Sequence, residues 1–280
     1  MILSNYHCHC NLCDGKGTME EYVKRAIELN FASFGFSCHA PMPFAFDWSM
    51  KKEDLSFYIK EVDRLKKEYG YLMEIYLGLE IDFFNDKTEN RIELYNKLGL
   101  DYYIGSIHCI YHPREKQFLS LDYSKELFSY ILTDIFKGDI KAFVREYYQQ
   151  IQNMVTLHAP PIIGHLDLIK KFNKGNDFFD ESEDWYMEEI KQVLKVIKSK
   201  HGIIEINTGG ISRGYTTDYY PSFPILKECN RLEIPITINS DAHSVENLDF
   251  HLREAELVAK EAGYEKKYVL LNKEWKSVEI

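Results

Sequence analysis

Side chains that commonly bind metal ions occur directly after short apolar runs, one run after another along this chain. They are His7 and His9 after ILSNY, His39 after FASFGFSC, Glu80 after EIYLGL, His108 after DYYIGSI, His165 after PPIIG, and Asp241 and His243 after IPITINS. A single histidine after a strand would mean little, but the repetition constrains the fold. Because the carboxyl ends of the strands in a parallel barrel meet at one rim, the pattern predicts a barrel whose rim holds a metal cluster.

Strand-like runs alternate with amphipathic helical stretches throughout, which is typical of a parallel α/β fold. We predict strands over 2–7, 32–38, 73–80, 102–107, 161–166, 202–207 and 235–240. Predicted helices cover 18–30, 51–70, 88–99, 123–137, 140–158, 183–200, 222–232 and 246–262. Thr18 and Glu21 have the spacing of a capping box at the start of the first helix. Seven strands with intervening helices predict a barrel with one unit fewer than the usual eight.

An open, doubly wound sheet is the alternative α/β architecture. Such a sheet concentrates its site at one switch point, whereas here potential ligands follow nearly every strand. No G-x-G-x-x-G or P-loop pattern follows any strand either, so we favour the barrel. Only 109–122 and 171–182 resemble long loops, and the terminal KKYVLLN predicts a short edge strand. We expect residues 1–280 to form a single domain.

Charge and composition narrow the possible partners. The 280-residue chain has a formal net charge of −10, which disfavours nucleic acid but not an anionic small substrate, because bound metal ions reverse the local sign. No run of about 18 apolar residues occurs, so no membrane span is expected. MILSNYHCHC lacks the basic and apolar segments of a secretory signal, so we expect a cytoplasmic protein. The oligomeric state stays open.

Three of the six cysteines, Cys8, Cys10 and Cys13, are closely spaced near the N-terminus. Side chains alternate between the two faces of an extended segment, so His7 and His9 would point one way and Cys8 and Cys10 the other. The two sets cannot easily share a metal ion. We therefore interpret the cysteines as reduced thiols in the interior rather than as a zinc or iron–sulfur site, in a compartment that keeps thiols reduced.

The spacing of the candidate ligands supports metal binding. Residues two apart, as in His7-x-His9 and Asp241-x-His243, lie on one face of an extended strand. Glu80 ends an apolar run, where a buried carboxylate is costly unless paired or metal-bound, and a carboxylate can bridge two cations. The predicted ligands are His7, His9, Asp14, His39, Glu80, His108, His165, Asp241 and His243. At three or four ligands per ion, with one shared carboxylate, they suit three divalent ions.

Some of these residues have ordinary structural alternatives. Asp14 precedes Gly15 and could simply form a turn. Asp82 lies two residues beyond Glu80 on the same face, but Glu80 is better placed at the end of the apolar run. Arg213, in the loop NTGGISRG after the sixth strand, could hold an anionic oxygen at the barrel mouth or form a surface ion pair. The histidines assigned to solvent-facing or structural positions are His112, His158, His201 and His251.

These residues resemble the motifs of the polymerase and histidinol phosphatase (PHP) superfamily. The matching segments are His7-x-His9 with Asp14-Gly15, Ser37-Cys38-His39-Ala40-Pro41, Gly78-Leu79-Glu80, Gly105-Ser106-Ile107-His108, Gly164-His165-Leu166-Asp167 and Ser240-Asp241-Ala242-His243. Six motifs in order span about residues 3–245. Within the superfamily the chain most resembles the monofunctional histidinol-phosphate phosphatases, through its length, His39-Ala40-Pro41, the run DLIKKF after His165 and the loop Asn207-Thr208-Gly209.

The resemblance implies a distorted (β/α)7 barrel with a trinuclear metal site at the carboxyl ends of its strands. Mixed nitrogen and oxygen ligands admit zinc, iron, manganese or magnesium, and zinc, iron or manganese is expected here. It implies release of phosphate from L-histidinol phosphate in histidine biosynthesis. The implied ligands are His7, His9, Glu80 and Asp241 for one ion, Glu80, His108 and His165 for a second, and Asp14, His39 and His243 for a third. Cys38 departs from the Asp that the family usually has before His39. Since that residue is not itself a ligand, we expect altered surroundings of the ligand rather than loss of the ion.

The implied mechanism is hydrolysis by a hydroxide shared between two ions, with Arg213 and the ions holding the phosphate oxygens. We expect Asp241 or His243 to protonate the leaving oxygen. Residues 41–48, directly after His39, are expected to form an apolar lip over the barrel mouth. Asp47 in this lip would bind a cationic amine or imidazole of the substrate, and ordinary loop packing is the alternative.

Four other functions are the alternatives. The nearest is a PHP phosphoesterase acting on another small phosphate ester, a nucleotide or phosphotyrosine. A metal-stabilised binding module without turnover would lack ligands, and none of the nine is missing. An amidohydrolase barrel would carry a carboxylated lysine after its fourth strand, where this chain has His108. A structural zinc protein would have a closed, cysteine-rich site.

Overall fold

The computed structural model describes residues 3–44, 46–84, 95 and 97–280. Its strands are β1 (Ser4–Asn5), β2 (Ser33–Phe36), β3 (Glu74–Leu77), β4 (Glu80–Asp82), β5 (Ile104–Ser106), β6 (Cys109–His112), β7 (Gln117–Ser120), β8 (Ile162–Ile163), β9 (Ile203–Asn207), β10 (Ile236–Asn239), β11 (Lys266–Leu271) and β12 (Glu274–Glu279). Its α-helices are α1 (Met19–Glu28), α2 (Leu55–Tyr69), α3 (Lys125–Tyr130), α4 (Ile140–His158), α5 (Asp184–Ser199), α6 (Gly209–Ser212), α7 (Phe223–Arg231) and α8 (Leu252–Glu261). Shorter turns of helix cover Ile131–Ile135, Leu168–Lys170 and Val245–Asn247. All seven predicted strands are present, whereas most of the predicted helix over 88–99 lies outside the described residues.

The parallel strands close into a barrel. One sheet has the order β1-β2-β3 and another the order β10-β9-β8-β5-β4, and every pair within them is parallel. A parallel bridge between His39 and Glu80 continues β2 onto β4, and a bridge between Cys8 and Ala242 joins β1 to β10. Because β3 and β4 are two halves of one interrupted strand, seven positions complete the circuit. The predicted barrel is therefore correct, and the open sheet is not formed.

Aromatic side chains and the C-terminal hairpin cover the amino end of the barrel. The Tyr102 hydroxyl lies 2.7 Å from the carbonyl oxygen of Tyr6 and 2.8 Å from that of Phe36. Strands β11 and β12 pair antiparallel, and the backbone N–H of Leu270 donates to the Tyr6 hydroxyl at 2.7 Å. This closed end leaves the carboxyl ends of the strands as the open rim. KKYVLLN is thus a strand, as predicted, but the sequence did not reveal its partner β12.

The segment 109–122 was predicted to be a loop, and that prediction was wrong. Strands β6 and β7 form an antiparallel hairpin with Cys109 opposite Ser120 and His112 opposite Gln117. Phe118 and Cys109 pack in a buried cluster with Phe84. Each strand has four residues and the turn between them lacks Gly or Asn-Gly, so the usual hairpin signal is missing. The segment 171–182 contains no helix or strand, as expected.

The first helix begins as its sequence predicts. The backbone N–H of Glu21 donates to the Thr18 hydroxyl, and the backbone N–H of Thr18 donates to the Glu21 carboxylate at 2.6 Å. The helix buries Tyr22, Val23 and Ala26 against the barrel. Within the described part of the chain, none of the helices combines the length and the apolar character needed to span a bilayer.

Candidate metal centre

A cavity of about 380 Å³ opens at the carboxyl ends of the barrel strands. Seven of the predicted ligands line it, namely Asp14, His39, Glu80, His108, His165, Asp241 and His243. His7 and His9, which follow β1, are completely buried and contact these residues from below. The structure therefore brings all nine predicted side chains, from six separate segments, to one place.

His7, His9 and Asp241 form the deepest group. The Nε2 atom of His9 lies 3.1 Å from Asp241 Oδ1, and the Nε2 atom of His7 lies 3.5 Å from the same oxygen. Glu80 Oε2 is 3.3 Å from His7 Nε2 and 3.6 Å from His9 Nε2. Two imidazole nitrogens and two carboxylate oxygens thus face one point, which is a suitable donor set for a divalent ion.

Glu80 lies at the centre of a second group. Its Oε1 atom is 3.1 Å from His165 Nε2 and 3.7 Å from His108 Nε2, and these two nitrogens are 3.1 Å apart. Its other oxygen, Oε2, lies 3.0 Å from His39 Nδ1. The two carboxylate oxygens therefore face different sets of histidines, the arrangement expected of a carboxylate that bridges two ions.

Asp14 contacts three histidines nearer the solvent. Its Oδ2 atom is 3.2 Å from His243 Nε2, and its Oδ1 atom is 3.7 Å from His9 Nδ1 and 3.8 Å from His39 Nε2. About a third of the Asp14 side chain is exposed. Asp14 thus belongs to the cluster and does more than form a turn with Gly15.

Unpaired polar atoms show that these residues fit a metal site. Among the described residues, His7 Nε2, His9 Nε2, His39 Nδ1, Glu80 Oε2 and Asp241 Oδ1 are buried, and although they lie 3.0–3.6 Å from one another, none of them makes a hydrogen bond of suitable geometry. Burying such atoms unpaired is costly. All five lie within the groups just described, so cations among them would satisfy the lone pairs together.

Charge interactions within the cluster are strong. Burial raises the pKa of the Glu80 carboxyl, but His7, His39 and His108 outweigh this effect and hold the pKa well below its usual value. Burial likewise raises the pKa of Asp241, and Arg213 together with His7 reverses the shift. Both carboxylates are therefore charged and available to cations.

Two buried carboxylates orient histidines from behind. Glu205, on β9, accepts from His7 Nδ1 at 2.9 Å, and Asp82, on β4, accepts from His108 Nδ1 at 2.8 Å. Such a contact to Nδ1 fixes the orientation of the imidazole ring, so that the other nitrogen, Nε2, faces the metal site. Sequence reasoning missed Glu205. The available signal was a charged residue inside the apolar run IIEIN, where a buried carboxylate needs a partner.

Arg213 lies at the cavity, as predicted, and is already paired there. Its Nη2 atom donates to Asp241 Oδ2 at 2.9 Å, and its Nη1 atom lies 2.6 Å from His243 Nδ1. A quarter of the side chain is exposed, toward the cavity that it lines. The guanidinium thus lies next to the ligand cluster and within reach of the cavity.

Asp47 and Trp48 also line the cavity. The Trp48 ring packs edge-on against His39, with 4.7 Å between ring centroids, and against His108 at 5.4 Å. The segment 41–48 therefore covers the centre with an aromatic side chain and presents a carboxylate beside it, although Ala45 lies outside the described residues.

Lys171 and Asp122 also line the cavity, and sequence reasoning assigned a role to neither of them. Lys171 Nζ lies 2.9 Å from Asp122 Oδ2 and 4.4 Å from the centroid of the Tyr215 ring. Asp122 reaches the cavity because the hairpin β6–β7 ends two residues before it. Since that hairpin was predicted to be a loop, the contact could not be anticipated.

Comparison with known proteins is consistent with this geometry. Residues 5–209 match the model of the PHP domain. A histidinol-phosphatase of Bacillus subtilis (strain 168) is 28% identical over 261 residues, which are 87% of this chain and 94% of the relative. A crystal structure from Listeria monocytogenes superposes with a TM-score of 0.79 at 24% identity, covering 90% of this chain and 99% of the other.

A second solved structure is a histidinol phosphate phosphatase from Lactococcus lactis subsp. lactis Il1403, complexed with zinc, L-histidinol and phosphate. It superposes with a TM-score of 0.74 at 21% identity and covers 98% of both chains. At these identities the two structural matches show a shared fold, and they confirm the predicted distorted barrel.

Proposed function

The chain belongs to the PHP domain family, and from this premise we propose that it is a metal-dependent phosphomonoesterase that hydrolyses L-histidinol phosphate to L-histidinol and phosphate. The observation that carries the proposal is the set of buried nitrogen and oxygen atoms without hydrogen bonds that five neighbouring residues bring together in and directly below one cavity. The choice of substrate is based on relatives that align with most of this chain and are named histidinol-phosphatases.

We infer a centre of three divalent ions, of zinc, iron or manganese. Mixed imidazole and carboxylate donors suit these metals. The proposed ligand sets are His7, His9, Glu80 and Asp241, then Glu80, His108 and His165, and finally Asp14, His39 and His243. Divalent ions there would polarise the phosphate group and lower the pKa of a water molecule from about 15.7 towards about 7.

The rest of the cavity fits a small phosphate ester that also carries positive charge. Lys171 and Arg213 line the cavity and are assigned to the phosphate oxygens. Asp47 and Asp122 line it as well and are assigned to the ammonium and imidazole groups of histidinol. A volume of about 380 Å³ falls within the range of small-molecule sites.

Arg213 is proposed to stabilise charge that develops on the phosphate as the ester bond breaks. Its Nη1 and Nη2 atoms are held by His243 and Asp241, so the guanidinium is oriented before the substrate binds. The leaving oxygen needs a proton, and we assign its delivery to the pair Asp241 and His243, which adjoin the cavity on one short segment; the charged Asp241 carboxylate would first accept this proton from the attacking water.

The experiment compares ligand variants with a matched histidine control. Glu80→Gln and His108→Ala should each lower kcat by roughly a hundredfold or more and reduce bound metal. Removing a residue that only orients a ligand typically costs about ten- to a hundredfold, and removing the ligand itself should cost more. His201→Asn should alter neither quantity, since His201 is exposed and precedes β9 at the opposite end of the barrel. Full activity and metal content in Glu80→Gln would refute the site.

A panel of esters tests the substrate. We expect kcat/KM for L-histidinol phosphate to exceed that for simple sugar phosphates, nucleotides and phosphotyrosine by about a hundredfold, a difference of about 2.7 kcal/mol. Comparable kcat/KM values across the panel would support the phosphatase activity but would contradict L-histidinol phosphate as the specific substrate. A small-molecule substrate, with no nucleic-acid partner, is part of the proposal.

A cytoplasmic location completes the proposal. All six cysteines are free thiols, and four of them, Cys8, Cys10, Cys13 and Cys38, lie close together in the fold. Free, crowded thiols persist where the surroundings are reducing, as in the cytoplasm.

A further inference from the structure

Three thiols lie on the chain segments that carry proposed metal ligands, and the proposed reaction uses none of them. The Sγ atoms of Cys10 and Cys38 are 3.3 Å apart, and both residues are completely buried. Cys13 also interacts with Cys38, and its Sγ lies 3.6 Å from His9 Nδ1. Cys13 is only partly buried, so this group of three extends from the core toward solvent.

The backbone places Cys10 and Cys38 on adjoining extended segments. Strands β1 and β2 pair in parallel with Asn5 opposite Phe34, and this register, continued along the chain, puts Cys10 opposite His39, one residue beyond Cys38. The backbone N–H of Cys10 donates to Cys38 Sγ at 3.5 Å. Strands lie about 4.8 Å apart and rise about 3.3 Å per residue, so Cα atoms one position out of register are roughly 5.8 Å apart, within the range of about 4.4–6.8 Å that disulfides span.

We propose that Cys13, Cys10 and Cys38 form a site of reversible oxidation by peroxides, in which Cys13 reacts first and the final disulfide joins Cys10 to Cys38. The Cys13 thiol attacks hydrogen peroxide, which leaves a sulfenic acid and one water molecule. The Cys38 thiol then displaces the hydroxyl group as a second water molecule. The two thiols have lost two electrons, and peroxide has gained them.

Exchange then moves the bond into the core. Cys10 attacks Cys38 of the mixed disulfide, releases Cys13 as a thiol and leaves the bond between Cys10 and Cys38. Cys13 serves only as the entry point, since Cys10 and Cys38 are shielded from solvent. Cys38 is essential to these steps, because it reacts first with Cys13 and then with Cys10.

Oxidation would disturb two proposed metal ligands. Cys10 directly follows His9, and Cys38 directly precedes His39. Closing the sulfurs from 3.3 Å to a bond of about 2.05 Å moves them by roughly 1 Å, whereas ligand distances vary by only about 0.2 Å. Movement of this size at His9 and His39, whose ring centroids are 4.4 Å apart, should release bound metal.

The test uses the full chain loaded with zinc, which does not itself undergo redox reactions. After treatment with hydrogen peroxide, we expect two thiols lost per chain, zinc release and a fall of about ten- to a hundredfold in phosphatase activity, all reversed by dithiothreitol. Non-reducing tryptic digestion separates Cys10 from Cys38 at Lys16 and Arg25, so that a linked peptide identifies the bond. Fragment ions distinguish Cys10 from Cys13.

Matched variants separate this site from general damage. Cys38→Ser should form no linked peptide and keep its zinc, whereas Cys229→Ser, a buried cysteine on α7, should respond like the unaltered protein. Cys13→Ser should slow bond formation at least about tenfold, because the one thiol of the three that solvent can reach is missing. Zinc release from Cys38→Ser equal to that of the unaltered protein, or no linked peptide in the latter, would overturn the proposal. Thiol and zinc measurements do not depend on the substrate, so failure of the proposed function would be recognised separately.

Discussion

Glu205 offers a sharp test of how the barrel prepares the metal centre. Its two oxygens accept from His7 Nδ1, from the backbone N–H of His165, and from the amides of Asn207 and Asn239, at 2.8–2.9 Å. Burial raises the pKa of this carboxyl, but His7 outweighs the effect and the pKa lies below its usual value. Glu205 is therefore a charged carboxylate, and each of its two oxygens accepts hydrogen bonds.

Glu205→Gln keeps the shape and replaces one oxygen with an amide nitrogen. In either orientation of the amide, two buried donors then face a donor instead of an acceptor. Each such loss costs about 1–3 kcal/mol, so the free energy of unfolding should fall by about 2–6 kcal/mol. Because a neutral amide holds His7 less firmly than a carboxylate does, even when its oxygen faces Nδ1, metal affinity should fall about ten- to a hundredfold, or about 1.4–2.7 kcal/mol.

Urea denaturation of the metal-free protein measures the first quantity, and competition with a chromophoric zinc chelator measures the second. Glu146→Gln is the matched control, since Glu146 is half-buried on α4 and contacts Gln150 at 3.3 Å, away from the cavity. If Glu205→Gln bound zinc within about twofold of the unaltered protein, Glu205 would not orient His7 and the reasoning would fail.

Three further substitutions address other parts of the molecule. Lys267→Met breaks a buried ion pair in which Lys267 Nζ lies 2.5 Å from the Glu256 carboxylate. The free energy of unfolding should fall by about 3–5 kcal/mol, while the folded protein keeps its kcat. An unchanged denaturation midpoint would contradict this expectation. Thr18→Ala removes the side-chain cap of α1 and should cost about 1 kcal/mol by the same assay, whereas a loss above that of Lys267→Met would point to another role for Thr18. Asp47→Asn should raise KM for L-histidinol phosphate roughly five- to tenfold with little change in kcat, and equal KM values would remove Asp47 from the substrate site.

Much of the fold could be predicted from the sequence because its signals are local. Apolar runs of four to eight residues, separated by amphipathic stretches, placed all seven barrel strands to within a few residues. The hairpin β6–β7 was missed because its strands are short and its turn has no distinctive residue. The C-terminal strand β11 was found, but its partner β12 has an ordinary polar sequence.

The candidate site divides in the same way. His7, His9, Glu80, His108 and His165 could be selected because each follows an apolar run, and the ends of parallel strands share one rim. The list of candidate ligands therefore came from residue type and position along the chain. Their division among three ions was implied only by the resemblance to a family, and it stays a proposal.

The amino-acid sequence alone determined the seven strands of the barrel and which side chains stand at their ends. Only the tertiary structure decided that Glu205 supports His7, that Lys171 meets Asp122 and that Cys10 touches Cys38. The physical reason is the distance along the chain between the residues that interact. Periodicity depends on neighbours a few residues apart, whereas these contacts depend on the register of adjacent strands and on the closure of the barrel, to which the whole chain contributes.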